Sequence, residues 1–401
     1  MQYAMIVFIS LLISFDNGWA THQEDPPKKT ICLNMIIKDE TPVIRRCLAT
    51  VKPMIDYWVI VDTGSTDGTQ EMVKEFMKDI PGELHERPWK NFGHNRNEAL
   101  QLAKGKGDYL LFIDADEVFK YSNDFKRPSL NADFYYITTE YNGLKYGRVQ
   151  LINNHLNWQW LGVLHEYLDS PEAKTHGIAL GITNVVNTDG NRSQDPQKYQ
   201  KDAKLLEKAI QDEPNNSRYR FYLAQSYRDS EQYEKAIESY QKRIEMGGFD
   251  QEIFYSKLQI AIMNEILKMD PEIVIDSYNT AFESRPSRIE PLYRLAAYYR
   301  GMNNFQEAYN TTLKGLRIRN SNDVLFVDQW IYDYGFLLEY SVAAYWLEKY
   351  TEALLASYLL ISNPALPQDI RQTVQKNLVW INQKMNEQKQ QITDEAITAE
   401  K

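Results

Sequence analysis

The stretch DYLLFIDADEVF, residues 108–119, carries an apolar run that leads directly into three carboxylates. Residues 109–113 have the length and hydrophobicity of a buried strand, and the next four positions hold Asp114, Asp116 and Glu117. Carboxylates that share a site repel one another unless a positive charge lies beside them. The stretch therefore indicates a buried strand with a charged site at its carboxyl end.

The same alternation of strand and helix extends through the first half of the chain. Apolar strands are predicted at TICLNMII (30–37), YWVIV (57–61) and YLLFI (109–113), with helical spacing between them. Continuous apolar strands that alternate with helices are typical of a mostly parallel sheet with helices on both faces. Ligands bind beyond the carboxyl ends of the strands in such sheets. The sequence therefore predicts a Rossmann-like α/β domain over residues 30–192.

Strand patterns end in the second half, where paired helices repeat. The segment 219–242 recurs as 291–314, with matching Leu-Ala and Tyr-Arg pairs that are 72 residues apart. This offset is two repeats of about the tetratricopeptide length, roughly 34 residues. We therefore predict an all-α tetratricopeptide-repeat solenoid over residues 193–386 and a frayed tail over residues 387–401.

Composition narrows the range of partners. The chain has 401 residues, with 45 Lys and Arg against 55 Asp and Glu, and its net charge of −10 argues against a nucleic-acid partner. Its 43% hydrophobic content is that of an ordered globular protein. The two cysteines, Cys32 and Cys47, lie in apolar-patterned segments, so we expect reduced core residues rather than a disulfide.

The N-terminus contains a short apolar run. AMIVFISLLI (4–13) is too short to cross a bilayer as a helix. With the small residues that end at Ala20 it is typical of a signal peptide, yet no Lys or Arg precedes it. Residues 1–20 are therefore expected to be a signal peptide or a hydrophobic extension, and the polar residues 21–29 a linker.

A second polar motif follows the predicted strand at residues 57–61. VIVDTGSTDGT (59–69) leaves the strand at Asp62 and turns through two glycines into a helix. An acid at a strand end, followed by small hydroxyl residues, can accept hydrogen bonds from a ribose or a base. An ordinary turn with Thr66 or Asp67 as the helix cap explains the pattern equally well.

The D-x-D sequence at Asp114 and Asp116 points to a metal. In an extended chain the two side chains lie on one side, separated by a small residue. Paired carboxylates suit Mg²⁺ or Mn²⁺, which also bind phosphate oxygens. Solvated acids at the end of a strand are the alternative interpretation.

Five segments in a fixed order give these motifs a family context. They resemble family 2 glycosyltransferases of the GT-A fold over residues 30–190, and the following repeats resemble the architecture of sublancin-type peptide S-glycosyltransferases. The His-Glu pair is also similar to that of lipopolysaccharide-core glucosyltransferases. The segments are NMIIKDE (34–40), VIVDTGSTDGT (59–69), NFGHNRNEAL (91–100), YLLFIDADE (109–117) and WLGVLHEYL (160–168).

The resemblance implies a glycosyltransferase that uses a nucleotide sugar, with a UDP sugar as the expected donor. Residues implied to bind the nucleotide sugar are Asp39, Glu40, Asp62, Arg96, Asn97 and Asp114. The implied cofactor is Mn²⁺ or Mg²⁺ on the diphosphate. Its ligands would be Asp116 first, Asp114 beside it, and His165.

The resemblance implies that Glu166 and His165 lie where the acceptor binds. An inverting transfer needs one general base close to the acceptor, for which Glu166 is the candidate, with His165 as a metal ligand, an orienting group or the base itself. Adjacent residues of a strand point to opposite faces, so a purely structural role for one of the two is the alternative.

The resemblance also implies partners. The repeats would bind a peptide, protein or glycan acceptor, or form a homodimer. A peptide-binding scaffold with an inactive transferase domain is the alternative function. A nucleotide-sugar enzyme needs a compartment that contains its donor, so we expect a cytoplasmic location, and the apolar residues 4–13 leave membrane association open. A secretory lumen is the alternative if residues 1–20 are a signal peptide.

Overall fold

The computed structural model describes residues 28–141, 144–318 and 321–399. The predicted signal peptide or extension at residues 1–20 lies outside the described residues, as does most of the linker. No helix in the described part of the chain is both long enough and apolar enough to cross a membrane.

The N-terminal domain alternates strands with helices and then continues as strands alone. Its helices are α1 (Ile44–Val51), α2 (Thr69–Phe76) and α3 (Phe92–Leu102). Its strands are β1 (Ile31–Ile37), β2 (Tyr57–Asp62), β3 (Gly82–Glu86), β4 (Tyr109–Phe112), β5 (Val118–Tyr121), β6 (Phe134–Tyr141), β7 (Leu144–Asn153), β8 (Gln159–Leu161), β9 (Tyr167–Asp169) and β10 (His176–Val185).

The central sheet has eight strands in the order β3-β2-β1-β4-β7-β6-β10-β5, and β8 pairs with β9 separately. The strands from β3 to β4 are parallel, which confirms the predicted α/β fold class. Strand β7 runs antiparallel to β4 and β6, and β5 runs antiparallel to β10. The parallel half brings the carboxyl ends of β2, β1 and β4 to one edge of the sheet.

The apolar strands are buried on both faces, as their continuous hydrophobicity predicts. One face of β1 packs Leu33 and Met35 against Leu48 of α1. The opposite face places Cys32 with Leu110 and Leu100. Both cysteines are free and buried, in agreement with the sequence, and burial raises the pKa of the Cys32 thiol to about 12.

The C-terminal domain is built from helical hairpins, as predicted. Its helices are α4 (Lys198–Asp212), α5 (Ser217–Asp229), α6 (Tyr233–Glu245), α7 (Asp250–Ile266), α8 (Pro271–Ser284), α9 (Glu290–Gly301), α10 (Phe305–Gly315), α11 (Phe336–Trp346), α12 (Tyr350–Ser362) and α13 (Gln368–Ala399). Helix α13 continues through residues 387–399, where the sequence analysis expected a frayed tail. Polar i,i+4 pairs such as Gln383 with Glu387 accompany this extension.

The two domains share a hydrophobic core at their junction. Leu164, from the loop after β8, is buried with Leu206 of α4 and Phe221 of α5. Phe92 and Val163 pack against the same cluster. The loop 162–166 of the N-terminal domain is therefore in direct contact with the first helices of the repeats.

Candidate active site

Strand β2 delivers a buried carboxylate to the carboxyl edge of the sheet. Asp62 is fully buried, and its Oδ1 accepts hydrogen bonds from the backbone N–H groups of Gly64 (2.6 Å) and Ser65 (2.7 Å). The positive φ of Gly64, 111°, allows this tight turn. Its Oδ2 is buried without a partner in the described residues. Because buried polar atoms are nearly always hydrogen-bonded, this oxygen requires a donor such as an ordered water or a ligand group.

The loop after β1 is joined to the loop after β2. The Oδ1 of Asp39 accepts a hydrogen bond from the backbone N–H of Thr66 at 2.7 Å. The backbone N–H of Asp39 donates to the Ser65 hydroxyl at 2.8 Å. The N–H of Glu40 donates to the Thr69 hydroxyl at 2.8 Å. The structure therefore joins the loop that carries Asp39 and Glu40 to the loop that follows Asp62.

Two guanidinium groups neutralise the first aspartate of the D-x-D sequence. Arg96 of α3 donates to Oδ1 of Asp114 at 2.6 Å, and Arg148 of β7 lies 3.2 Å from Oδ2. Arg148 also donates to Glu117 at 2.6 Å. Burial alone would raise the pKa of Asp114, but the two arginines outweigh it and hold this pKa well below its usual range.

Part of the positive charge that the three carboxylates require thus comes from within the chain. The sequence analysis assigned that charge to a metal ion and missed Arg148. The alternation of polar and apolar residues from Arg148 to Leu151 was the available signal, because it is typical of a strand.

The second aspartate has no such partner. Asp116 forms no ion pair within the described residues, and burial, followed by the charge of Asp114, raises its pKa. Its carboxylate lies against the backbone of Gly190, where a methyl group would be 2.9 Å from Oδ2. Its backbone carbonyl accepts from Arg46 (3.1 Å) and Asn187 (3.0 Å). Asp116 is thus held in place by its main chain while its side chain keeps an uncompensated charge.

The negative charges of the neighbouring carboxylates also act on Glu40. Burial raises its pKa to about 7, the N–H of Asn191 opposes the shift, and the carboxylates of Asp116, Asp114 and Asp67 add to it. The N–H of Asn191 donates to Glu40 at 3.2 Å. Excess negative charge at this edge of the sheet is the environment in which a cation is stabilised.

The described residues contain no group of three or more side chains arranged to hold a metal ion. Magnesium is commonly held by one or two carboxylates together with substrate phosphates and waters. The carboxylate of Asp116 fits that donor set, whereas both oxygens of Asp114 already bind arginines. A site of this kind would be completed by the diphosphate and not by the chain alone.

Arg96 connects the D-x-D sequence to the predicted base. Its Nε donates to Oε1 of Glu166 at 2.6 Å while its Nη2 binds Asp114, and the guanidinium lies 5.0 Å from the ring of Trp160. The side chains of Arg96 and Glu166 are only 11% and 10% exposed. Arg96, Asp114 and Glu166, which were predicted separately, therefore form one contact chain.

Asn97 is placed differently from the expectation. Its Nδ2 donates to the carbonyl of Trp160 and its Oδ1 accepts from the N–H of the same residue, both at 2.8 Å. Both polar ends of the amide therefore hold β8 next to α3. The structure gives Asn97 a supporting contact where the sequence analysis expected one to the nucleotide sugar.

His165 is turned towards the repeats and not towards the carboxylates. Its ring stacks on Tyr222 of α5, with centroids 4.0 Å apart. Burial, followed by the charges of Arg192, Arg218 and Lys198, lowers its pKa to about 4. Three cations around this imidazole disfavour a further cation, which argues against the predicted metal-ligand role. His165 and Glu166 do point apart, but they lie in a turn and not in the strand that was assumed.

Comparisons with known proteins identify both domains. Residues 32–126 match the family described as "Glycosyl transferase family 2", and residues 205–238 match "Tetratricopeptide repeat". The SPbeta prophage-derived glycosyltransferase SunS of Bacillus subtilis (strain 168) and the glycosyltransferase SunS of Bacillus phage SPbeta are each 26% identical over 262 residues. That match covers 61% of this chain and 59% of each relative, so it spans less than two thirds of their length.

Other similarities concern the repeats. A TPR repeat-containing protein of Synechococcus elongatus is 38% identical over 87 residues, 22% of this chain and 20% of that protein. Among solved structures, a tetratricopeptide repeat protein from Parabacteroides merdae has a TM-score of 0.35 at 18% identity, covering 49% of this chain and 71% of that one. MamA has a TM-score of 0.31 at 16% identity, covering 40% and 90%. The family matches over residues 32–126 and 205–238 thus agree with the predicted glycosyltransferase family 2 domain and tetratricopeptide repeats.

Proposed function

We propose that this chain, with its glycosyltransferase family 2 domain, transfers a sugar from a nucleotide diphosphate to an acceptor, with a UDP sugar as the first donor to test. The observation that carries the proposal is the contact chain from Asp114 through Arg96 to Glu166. It joins a diphosphate-binding motif to a nearly buried carboxylate. A donor and an acceptor bound on either side of Arg96 would have their reacting groups close together.

The donor nucleotide would bind at the mouth formed by the loops after β1 and β2. The unpartnered Oδ2 of Asp62 would accept a hydrogen bond from a base N–H or a ribose hydroxyl. Asp39 holds the backbone of Thr66 in the adjoining loop and so shapes this mouth. The guanidinium of Arg96 would contact the sugar or its phosphate while it keeps Asp114 in place.

A divalent cation, Mn²⁺ or Mg²⁺, would neutralise the leaving diphosphate when it is bound. Asp116 would be its principal ligand, with Asp114 beside it. The uncompensated charge of Asp116 and the raised pKa of Glu40 support this assignment.

Glu166 would remove the proton of the acceptor. Arg96 engages its Oε1, so Oε2 is the oxygen available to the acceptor nucleophile. The acceptor would attack the anomeric carbon from the face opposite the diphosphate, and a single displacement would invert the configuration. The tetratricopeptide repeats favour a peptide or protein acceptor over a glycan, because repeats of this type present extended concave binding surfaces.

Isothermal titration of the full chain with UDP, UDP-glucose and UDP-N-acetylglucosamine, with and without Mn²⁺, tests the donor site. We expect Mn²⁺-dependent binding that is lost in Asp116→Asn. Nuclear magnetic resonance of the released sugar would report the anomeric configuration. Absence of binding by any of the nucleotides, with an intact fold by circular dichroism, would contradict the donor assignment and favour a peptide-binding scaffold with an inactive transferase domain.

A further inference from the structure

The loop that carries Glu166 rests on the first repeat. Arg218 of α5 donates from Nη2 to the carbonyl oxygen of His165 at 2.8 Å. The same guanidinium lies 5.0 Å from the ring centroid of Tyr167 and 4.9 Å from that of Tyr222. One side chain of the repeats therefore contacts the residues on both sides of Glu166.

His165 has a backbone conformation that needs external support. Its φ is 51°, in the left-handed region that is unfavourable for a non-glycine residue. Such conformations persist where the surroundings determine them. Here the Tyr222 ring stacks on the imidazole with an interplanar angle of 19°, and Arg218 holds the carbonyl. Two residues of α5 thus stabilise the turn that directs Glu166 towards Arg96.

The opposite side of the loop is held by α3, which bears Arg96. The N–H of Phe92 donates to the carbonyl of Val163 at 3.2 Å. Gly93 approaches so closely that a methyl group there would lie 2.1 Å from the carbonyl oxygen of Gly162. The loop is therefore clamped between α3 and α5, and Glu166 meets Arg96 within the clamp.

We propose that helix α5 completes the active site, with Arg218 and Tyr222 as positioning residues that hold the loop 162–166 so that Glu166 stays against Arg96. The proposal rests on the proposed function for the role of Glu166. It adds that the repeats are needed for turnover at the donor and not for acceptor docking alone. Slow hydrolysis of a nucleotide sugar by water, in which water replaces the acceptor, would then depend on α5 although no peptide is present.

The test uses the full chain with Arg218→Ala and Tyr222→Leu. Matched controls are Tyr222→Phe, which keeps the stacking ring, and Arg220→Ala, which removes a charge from the same helix. The charge of Arg220 acts on Tyr227 and Glu238, within the repeats. Hydrogen exchange of the amides in residues 162–167 is measured for each variant, together with kcat and KM for UDP-sugar hydrolysis and the thermal midpoint.

We expect the amides of residues 162–167 to exchange about tenfold faster in Arg218→Ala and Tyr222→Leu, while the other repeat helices keep their protection. The kcat for hydrolysis should fall at least about tenfold with donor KM within about twofold, because the base and not the donor pocket is displaced. Both control variants should match the wild type in both measurements.

Unchanged loop exchange in both Arg218→Ala and Tyr222→Leu would overturn the proposal. So would faster exchange with an unchanged kcat. If the wild type binds no nucleotide sugar, the proposed function fails, whereas the exchange data still decide whether α5 holds the loop.

Discussion

Each domain contains a network of buried charged side chains, and the two networks differ in how their acids are paired with arginines. In the repeats, Arg288 is fully buried and donates to Glu290, to Asp323 and to the carbonyls of Leu325 and Phe326. In the transferase domain, Arg96 and Arg148 pair with Asp114, Glu117 and Glu166. Asp116 and Glu40, in the same electrostatic field, form no ion pair within the described residues.

The pKa shifts follow this difference. The Arg285 guanidinium lowers the pKa of Asp323, so the folded repeats favour its charged form. Burial and neighbouring carboxylates raise the pKa of Asp116 and of Glu40, so the folded transferase domain disfavours their charge. Acids with raised pKa values occur preferentially at functional sites, so the shifts of Asp116 and Glu40 support the proposed cation site.

The largest loss of stability is expected when the buried ion pairs of Arg288 in the repeats are removed. Arg288→Met leaves Glu290, whose side chain is 1% exposed, buried without its ion-pair partner. Such a loss costs about 3–5 kcal/mol, measurable as the free energy of unfolding in urea. Arg285→Met is the control, because its partly exposed side chain should cost less. A cost below about 1 kcal/mol for Arg288→Met would remove the contrast between the two networks.

Substitutions of the two aspartates of the D-x-D sequence should differ in effect: the one at Asp116 should lower activity, and the one at Asp114 should lower stability. Asp116→Asn should lower sugar transfer or hydrolysis roughly a hundredfold or more, because it removes the proposed principal ligand of the cation. Its thermal midpoint should stay the same or rise, because the native state disfavours the Asp116 charge. Activity assays and thermal melts on the same preparation measure both. A fall in the midpoint would show that Asp116 is a structural acid.

Asp114→Asn is the counterpart of that variant. It leaves Arg96 and Arg148 without a shared carboxylate and should reduce the free energy of unfolding by about 1–3 kcal/mol. The estimate is below that for Arg288 because Asp114 is partly exposed and solvent screens it. Unfolding in urea checks the value. Equal stability of Asp114→Asn and the wild type would contradict the pairing that the structure shows.

The stability of Glu40→Gln relative to the wild type should depend on pH, because the charge of Glu40 is uncompensated. The folded pKa of about 7 lies above the usual value of 4.5, so folded Glu40 retains its proton between these values while the unfolded chain loses it. Its contribution to stability is therefore greatest at low pH and is lost as pH rises towards 7. Relative to the wild type, Glu40→Gln should become more stable from pH 5 to pH 8 in thermal melts.

Added Mn²⁺ should reduce that difference at pH 8, because a bound cation offsets the charge of wild-type Glu40. Two results would contradict the assignment. One is a stability difference that does not change with pH, and the other is an Mn²⁺ effect of equal size in Glu40→Gln.

The smallest effect is expected at an exposed ion pair of the repeats. Lys242 and Glu238 lie 2.5 Å apart on the surface of α6. Lys242→Ala should change the free energy of unfolding by less than about 0.5 kcal/mol, and added salt should reduce even that. A larger effect in urea unfolding would mean that burial is not what distinguishes the Arg288 network.

The sequence predicted both domains because their signals are local. Continuous apolar runs specify the buried strands β1, β2 and β4, and the 72-residue recurrence specifies the helical hairpins. Asp62, Asp114 and Asp116 follow directly from those strands, so their position at one sheet edge is a consequence of parallel pairing. The antiparallel strands β5, β6, β7 and β10 have weaker local signals, and Arg148 was missed with them.

Tertiary structure alone decided which charges meet. The pairing of Arg96 with both Asp114 and Glu166 spans 18 and 70 residues of sequence, and the contact of His165 with Tyr222 joins two domains. Periodicity carries no information about such partners, because a charged side chain has the same local pattern whether it is paired or free. The sequence by itself thus determined the domains and the acids at the sheet edge. The folded chain decided that one acid is neutralised, that another is left uncompensated and that the predicted histidine ligand faces the repeats.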